Sequence, residues 1–253
     1  MTAPRLLLIP APLDFGLDAS AALDELLPLR TVRAAATLHH WVVENAKTAR
    51  AFLKRVEAIA PLALPLQQLH IQELPRPPKG ASRGPVDLGP LLAPLRAGHD
   101  LGLLSEAGLP AVADPGAHLV AAAHQAGFSV QSLPGSSSIV QALAASGLNG
   151  QSFAFHGYAP TDAAARLQRL REWEAQSRKL QQTQVLIETP YRNAALLQAL
   201  LQALQPSTRL AVSRALTTPQ EWTRSATVAQ WRQHASDLPG DQPAMFSWLA
   251  AAG

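Results

Sequence analysis

Two turns rich in glycine and serine contain the residue types best suited to binding a polar ligand. Residues 105–116 (SEAGLPAVADPG) follow the apolar run Leu101–Leu104, and residues 134–138 (PGSSS) follow the run 128–133 and begin a helix. Glycine lets the backbone approach a ligand closely, and a helix start offers unpaired N–H groups. Both turns come at the carboxyl ends of predicted strands, where ligands bind in open α/β sheets. The alternative is that these turns only connect elements.

The sequence lacks the residues and motifs that several other kinds of site require. The chain has no cysteine, which excludes disulfides, thiolate nucleophiles and Cys-ligated metals. No G-x-G-x-x-G follows the first strand, and neither a P-loop nor a G-x-S-x-G elbow occurs. The pair His39-His40 has no carboxylate at ligand spacing, so structural or surface histidines are favoured and no metal site is predicted. This profile favours group transfer by an enzyme whose cofactor supplies the reactivity.

Composition indicates a globular protein. The chain has 253 residues, 47% apolar and 15% charged, with a net charge of +3 that permits a nucleic-acid partner without requiring one. Residues 1–13 are interpreted as a first strand rather than a signal peptide. No apolar run approaches the roughly 18 residues of a membrane span, so a cytoplasmic protein is expected and no membrane partner.

Strands and helices alternate along the chain, which predicts an α/β fold in two domains, 1–140 and 141–253, with a cleft between them. Segment 30–38 is ambiguous, and the basic loop 73–85 is either a lid or substrate arm or an insertion. Asn45, Thr161 and Gly127 are the predicted helix caps. Strands are predicted at 5–9, 40–44, 64–71, 101–104, 128–133, 152–158, 184–189, 209–216 and 244–251, and helices at 18–27, 46–58, 87–96, 117–125, up to 180 after Thr161, 191–204 and 226–235.

The order of several motifs resembles one known family. These are 105–110 (SEAGLP), 113–116 (ADPG), 133–136 (LPGS), 142–148 (ALAASGL), 155–160 (FHGYAP), 186–192 (LIETPYR), 213–217 (SRALT) with Glu221, and 240–244 (GDQPA). Together they are similar to the signature of ribosomal RNA small subunit methyltransferase I. That family is a branch of the tetrapyrrole methylase superfamily of S-adenosylmethionine-dependent enzymes.

Two segments depart from the family pattern. Residues 10–16 (PAPLDFG) stand where the family has Pro-Thr-Pro-Ile-Gly-Asn-Leu, and residues 44–47 (ENAK) stand where it has Glu-Asp-Thr-Arg. Both lie on the presumed substrate side. The resemblance therefore supports S-adenosylmethionine binding and methyl transfer more strongly than it supports the family's methyl acceptor.

The resemblance implies two tandem α/β domains with S-adenosylmethionine in the cleft between them, a homodimer, and 2′-O-ribose methylation of RNA of the small ribosomal subunit. A tetrapyrrole or other small-molecule acceptor and a non-catalytic S-adenosylmethionine-binding role are the alternatives. No catalytic residue is assigned; the substrate-side candidates are Glu44, Lys47 and Arg214, and Glu188 is a further polar candidate. The implied cofactor contacts are Pro10, Ser105, Gly108, Leu109, Val112, Ala113, Ser137, Ser138, Glu188, Ala215 and Ala244.

Overall fold

The computed structural model describes residues 3–14, 22–75, 87–233 and 242–252. The chain forms two compact units, Met1–Ser137 and Ser138–Gly253. Most of the predicted basic loop 73–85, including Arg76, Lys79 and Arg83, and the start of the predicted helix 18–27 lie outside the described residues. In the described ranges, no helix is both long and apolar enough to cross a bilayer.

The N-terminal unit contains a parallel sheet with the order β3-β2-β4-β1-β5. Single 3₁₀ turns at Leu66–Gln68 and Gly89–Leu92 precede β3 and α4. The elements are β1 (Arg5–Ile9), α1 (Leu23–Leu26), α2 (Leu29–Ala36), β2 (His40–Val43), α3 (Ala46–Glu57), β3 (His70–Glu73), α4 (Ala93–Arg96), β4 (Leu101–Leu104), α5 (Ala117–Gln125) and β5 (Ser129–Ser132).

The apolar runs of β1, β2 and β4 form the centre of this unit, as expected for parallel strands covered on both faces. Gly102 lies opposite Trp41 in the register of β2 and β4. A Cβ atom built on Gly102 would be 2.6 Å from the Trp41 ring and 2.9 Å from Leu38 Cδ1. The glycine in β4 therefore gives the buried indole its space.

Most predicted elements of this unit are confirmed, including α5 and the cap of α3, where Asn45 Oδ1 accepts from Lys47 N at 2.9 Å. The ambiguous segment is the helix α2. The predicted strand 64–71 is wrong over residues 64–69, because a 3₁₀ turn follows Pro65 and β3 starts only at His70. Pro90 and Pro94 reduce the predicted helix 87–96 to a 3₁₀ turn and the four-residue α4.

The C-terminal unit contains a mixed sheet with the order β6-β7-β10-β8-β9. Strands β6 and β7 are parallel, and the other neighbours are antiparallel. The elements are α6 (Ser138–Ser146), β6 (Phe153–Phe155), α7 (Ala163–Leu180), β7 (Thr183–Glu188), α8 (Pro190–Ala203), β8 (Arg209–Arg214), β9 (Trp222–Thr227), α9 (Val228–Gln233) and β10 (Ala244–Leu249).

Two expectations for this unit are corrected. Strand β9 was not predicted, and the helix predicted at 226–235 starts instead at Val228, because β9 pairs with β8 along all six of its residues. The cap of α7 is Asp162 rather than Thr161, since Asp162 Oδ1 accepts from Ala165 N at 2.8 Å. The strand predictions at β7, β8 and β10 are confirmed to within two residues.

The glycine in β4 generates a stability prediction. Gly102→Ala should destabilise the protein by about 1–3 kcal/mol, because the added methyl group overpacks the contact with Trp41 and Leu38. Gly150→Ala is the matched control, since a Cβ atom there meets nothing within 4 Å. Urea unfolding followed by circular dichroism measures both. Equal midpoints for the two variants would contradict the packing argument.

Candidate functional site

The carboxyl ends of β1, β4 and β5 bring three loops of the N-terminal unit together. Ala11 and Gly108 exchange two backbone hydrogen bonds, N–H to O at 2.8 and 3.0 Å, which join the loop after β1 to the turn after β4. A Cβ atom on Gly135 would lie 2.4 Å from Pro10 Cβ, so the loop after β5 packs directly on the proline ring. The structure thus brings together Pro10, Gly108 and the residue before the serine run, Gly135.

Both turns assigned to the cofactor from the resemblance have unusual backbone. Ala111 and Ala113 have φ of 66° and 64°, and Ala215 and Thr217 have φ of 50° and 67°. A left-handed conformation costs a non-glycine residue about 1–2 kcal/mol, and such strain concentrates at functional sites. Among the described residues the only other non-glycine with positive φ is Gln181, which terminates α7.

In the C-terminal unit, β10 places three predicted residues side by side. Ala244 is paired with Glu188 of β7 on one side and with Arg214 of β8 on the other. Ala215, the next predicted contact, directly follows Arg214 and is buried. The small residue Ala244 therefore lies between Glu188 and Arg214 in the register at one end of the sheet.

The Glu188 carboxylate is fully buried and forms an ion pair with Arg192, 3.0 Å between Oε2 and Nη2. Its Oε1 accepts from Thr189 N at 2.8 Å. Nearby on α8, Asn193 Nδ2 donates to Gln242 O at 2.8 Å, which fixes the approach to β10. These contacts give Glu188 an observed structural role beside the predicted cofactor role.

Several buried polar atoms at these loops lack a partner in the described part of the chain. They are Ser105 Oγ at the end of β4, Asn193 Oδ1 on α8 and Thr217 Oγ1 in the turn after β8. A buried polar atom without a partner costs about 1–3 kcal/mol, so each atom suits a hydrogen bond to a bound molecule. The hydroxyl, amino and carboxylate groups of S-adenosylmethionine can make such bonds, so the orphaned atoms of each unit, taken by itself, are chemically compatible with that cofactor.

Acidic residues meet beside the β4 turn. Glu106 N donates to Glu44 Oε2 at 3.1 Å, and Asn45 Nδ2 donates to Glu106 Oε1 at 3.0 Å. Burial, together with the charges of Glu44 and Glu106, raises the pKa of Asp114 to about 7. Asp114 makes no hydrogen bond or ion pair with any residue in the described ranges. A carboxylate with this pKa exchanges protons readily near neutral pH.

The remaining predicted residues have simpler surroundings. Val112 is 42% exposed although it is a large apolar side chain, and Leu109 is half-buried. Ser138 is the first residue of α6 and Ser137 precedes it, and both are half-buried. Lys47 lies in the first turn of α3 with its side chain exposed.

The histidine pair belongs to a larger cluster at the amino ends of β2, β3 and β4. His40 stacks on His70 with ring centroids 4.9 Å apart, and His99 lies 5.1 Å from His40. Burial and the neighbouring histidines lower the pKa of His40. Within the residues described, no group of three or more His, Asp or Glu side chains could hold a metal ion.

Sequence reasoning did not single out Asp114, Glu106, Asn193 or Thr217. Asp114 was interpreted as a turn residue and as part of the motif 113–116, and a carboxylate within the predicted ligand-binding turn 105–116 was a usable signal. The pairing of Glu44 with Glu106 joins residues 62 positions apart, and no local pattern indicates it. The orphaned atoms of Asn193 and Thr217 are visible only once their surroundings are packed.

Comparisons with known proteins agree with this architecture. The Mesorhizobium japonicum protein named Ribosomal RNA small subunit methyltransferase I is 37% identical over 156 residues, 60% of this chain and 52% of that protein. The uroporphyrin-III-C-methyltransferase from Thermus thermophilus is similar in fold, with a TM-score of 0.51, 20% identity, and 98% and 93% of the two chains covered. The methyltransferase CobJ gives a TM-score of 0.57 at 18% identity, with 99% and 95% covered.

The chain spans about half the length of the curated relatives it matches, 52%, 47% and 45% for three of them. The two solved structures share the fold at an identity too low to indicate more. The family model described as Tetrapyrrole (Corrin/Porphyrin) Methylases matches residues 24–231, well over half of the chain. With the two α/β units and the loops at their strand ends, this match shows that the chain belongs to the tetrapyrrole (corrin/porphyrin) methylases.

Proposed function

We propose that the protein is an S-adenosylmethionine-dependent methyltransferase that methylates RNA, with a ribose 2′-hydroxyl of small-subunit ribosomal RNA as the acceptor. The observation that carries the proposal is the positive φ of Ala113 and Ala215, since strain occurs in the two turns assigned to the cofactor. The names of the relatives support the RNA acceptor. A cytoplasmic homodimer is part of the same proposal.

The proposed cofactor contacts are those implied by the resemblance, and each unit supplies one set of them. In the N-terminal unit, the Ala11–Gly108 bonds hold the β4 turn in place, so Ser105 Oγ and the strained backbone are positioned before a ligand binds. In the C-terminal unit, Ala244 gives a small surface beside Glu188 and Ala215. Such preorganisation lowers the ordering cost of binding.

The reaction needs a proton acceptor as well as alignment. When bound, S-adenosylmethionine would supply an activated methyl group on a sulfonium. Transfer to the acceptor oxygen would break the S–CH₃ bond and release S-adenosylhomocysteine, and the acceptor hydroxyl would give up its proton. We assign the proton to the Asp114 carboxylate, because it lies in the turn after β4 that the resemblance assigns to the cofactor, and its pKa of about 7 leaves it partly ionised and basic near neutral pH. Glu44 and Glu106 act on Asp114 by raising its basicity.

Cofactor binding is predicted to depend on the exposed apolar face of Val112. Val112→Glu should weaken S-adenosylhomocysteine binding by about tenfold or more, because a buried carboxylate beside the ligand is costly. Leu29→Glu is the control, since Leu29 is 41% exposed against 42% for Val112 and lies outside the predicted contacts. Isothermal titration calorimetry measures both. Absence of any heat with the folded wild-type protein would remove the cofactor proposal itself.

The rate of methyl transfer is predicted to follow the ionisation of Asp114. Because the carboxylate accepts the proton, kcat should fall about tenfold per pH unit below pH 7 and level off above it. Glu44→Gln or Glu106→Gln removes a neighbouring negative charge, which should move the midpoint to lower pH. Rates are measured with saturating labelled cofactor.

Asp114→Asn should reduce kcat by about 10²–10⁴-fold and abolish the acid limb, with cofactor affinity unchanged. Asp24→Asn, at an exposed position on α1, is the matched control and should leave the profile intact. An Asp114→Asn enzyme with the wild-type profile would exclude this residue as the proton acceptor.

The acceptor is tested by transfer of a labelled methyl group to total RNA, isolated small ribosomal subunits or an extract of small metabolites. Label in RNA, found as a 2′-O-methyl nucleotide after digestion, is the expected result. Binding to single-stranded RNA should weaken with salt at a slope of about −0.7 per phosphate contact. Label only in small molecules, with a flat salt profile, would replace the RNA proposal by the small-molecule alternative.

A further inference from the structure

The two most exposed aromatic side chains of the C-terminal unit follow the carboxyl ends of two neighbouring strands. The chain has two tyrosines, and Tyr158 and Tyr191 are 55% and 84% exposed. Among the described residues the only other exposed aromatic side chain is Phe153, 40% exposed on β6. Phe153 is the first residue of β6, whereas the two tyrosines lie in the segments directly after β6 and β7. A large aromatic surface left in solvent at one site is a feature of recognition surfaces.

The two tyrosines are held close in the fold by backbone contacts between their segments. Strands β6 and β7 are parallel neighbours, and Ile187 N donates to Gly157 O at 3.0 Å, just before Tyr158. Arg192 Nη2 donates to Ala159 O at 2.8 Å, which joins the residue after Tyr191 to the residue after Tyr158. Tyr191 thus directly precedes Arg192, the donor of this hydrogen bond, and Tyr158 directly precedes Ala159, its acceptor.

Cationic groups border this surface. Arg166 Nη1 donates to Pro160 O at 3.2 Å and to Thr161 O at 3.1 Å. Within the described ranges Arg166 has no carboxylate partner, so its charge is not neutralised by an ion pair. Arg192, by contrast, is paired with Glu188. The two exposed aromatic rings are therefore accompanied by the half-buried guanidinium of Arg166, which lies in the first turn of α7 and is hydrogen-bonded to the loop after β6.

The distribution of charge between the units favours an anionic partner at this surface. Residues 138–253 contain ten Arg and Lys and seven Asp and Glu, a net of +3, and residues 1–137 contain eleven of each. The whole net charge of the chain therefore resides in the unit that bears the tyrosines. Nucleic acid combines the negative charge and the flat apolar faces that such a surface binds.

We propose that Tyr158 and Tyr191 form a stacking platform for unpaired bases of the RNA substrate, with Arg166 close to the phosphates. The inference rests on the proposed function, because it assumes an RNA acceptor. Every base has a π-face, so stacking gives affinity with little sequence preference and requires bases that are not paired. The platform thus selects single-stranded over duplex RNA.

The position of the platform relates it to the reaction. Tyr191 follows Glu188 by three residues, and Glu188 is paired with Ala244 in the predicted cofactor set. Bases stacked at this end of β7 are therefore held beside the strand ends where the methyl donor is proposed to bind. A substrate held in this way loses part of its orientational freedom on binding, before the reaction. This favours the aligned geometry that methyl transfer needs.

The test uses the full chain and a fluorescein-labelled single-stranded RNA of mixed sequence, 12 nucleotides in length, with anisotropy as the readout. Tyr158→Ala and Tyr191→Ala should each weaken binding about tenfold, and Tyr158→Phe and Tyr191→Phe should stay within about twofold of wild type, because phenylalanine keeps the ring. Leu180→Ala is the control, an apolar side chain that is 56% exposed at the far end of α7. The matching duplex should bind all variants alike.

Each outcome decides the proposal. Alanine variants that bind the single strand like wild type would overturn it, and so would phenylalanine variants as weak as the alanine ones, since the hydroxyl would then be the contact. Alanine variants that bind RNA normally but change the oligomeric state in light scattering would assign the surface to a second copy of the chain instead. Failure of the proposed function would be distinguishable from failure of the platform proposal. In that case the wild-type protein would neither bind RNA nor transfer labelled methyl groups to it.

Discussion

Strand β4 is bonded on both sides, to β1 and to β2, by the same four residues Leu101–Leu104. Its carboxyl end therefore cannot shift without breaking two ladders of hydrogen bonds. The start of the turn that follows is fixed by the same ladders. Glu44 N donates to Leu104 O at 3.1 Å, so the end of β2 is fixed to the same point. Because Gly102 has no side chain, the Trp41 ring packs directly against β4 in the middle of these two ladders.

Sequence patterns predicted the parts of the site that are local. The apolar runs ending at Leu104 and at Glu188 are buried strands, and turn residues follow each, so the strand ends and their loops were accessible without coordinates. Strand β9 could not be predicted from the sequence, because its residues WTRSAT are half-buried and polar. The segment becomes a strand only by pairing with β8. The proton chemistry of Asp114 was inaccessible for the same reason, since Glu44 becomes its neighbour only through long-range strand pairing.

The segment 10–16 differs from the family in its side chains. Its contact with the β4 turn, however, is made by backbone atoms. Ala11 bonds to Gly108 through its N–H and its carbonyl, which every residue except proline provides. The loss of the family's Gly-Asn pair therefore leaves this bridge in place. Pro10 retains its packing on Gly135, a contact that depends on the ring and on the absence of a side chain opposite. The geometry of the proposed cofactor loops is thus separable from the chemistry of the substrate side.

The second altered segment changes charge at the acidic edge while keeping the helix start. Asn45 stands where the family has aspartate, and its Oδ1 still caps α3, since asparagine and aspartate are equally good N-caps. Its Nδ2 also donates to Glu106 Oε1, a bond that an ionised aspartate cannot make. An aspartate at this position would add a further negative charge next to Glu44 and Glu106 and would raise the pKa of Asp114 above its present value of about 7. The asparagine therefore keeps the pKa of Asp114 near neutral, beside two carboxylates whose charges already raise it.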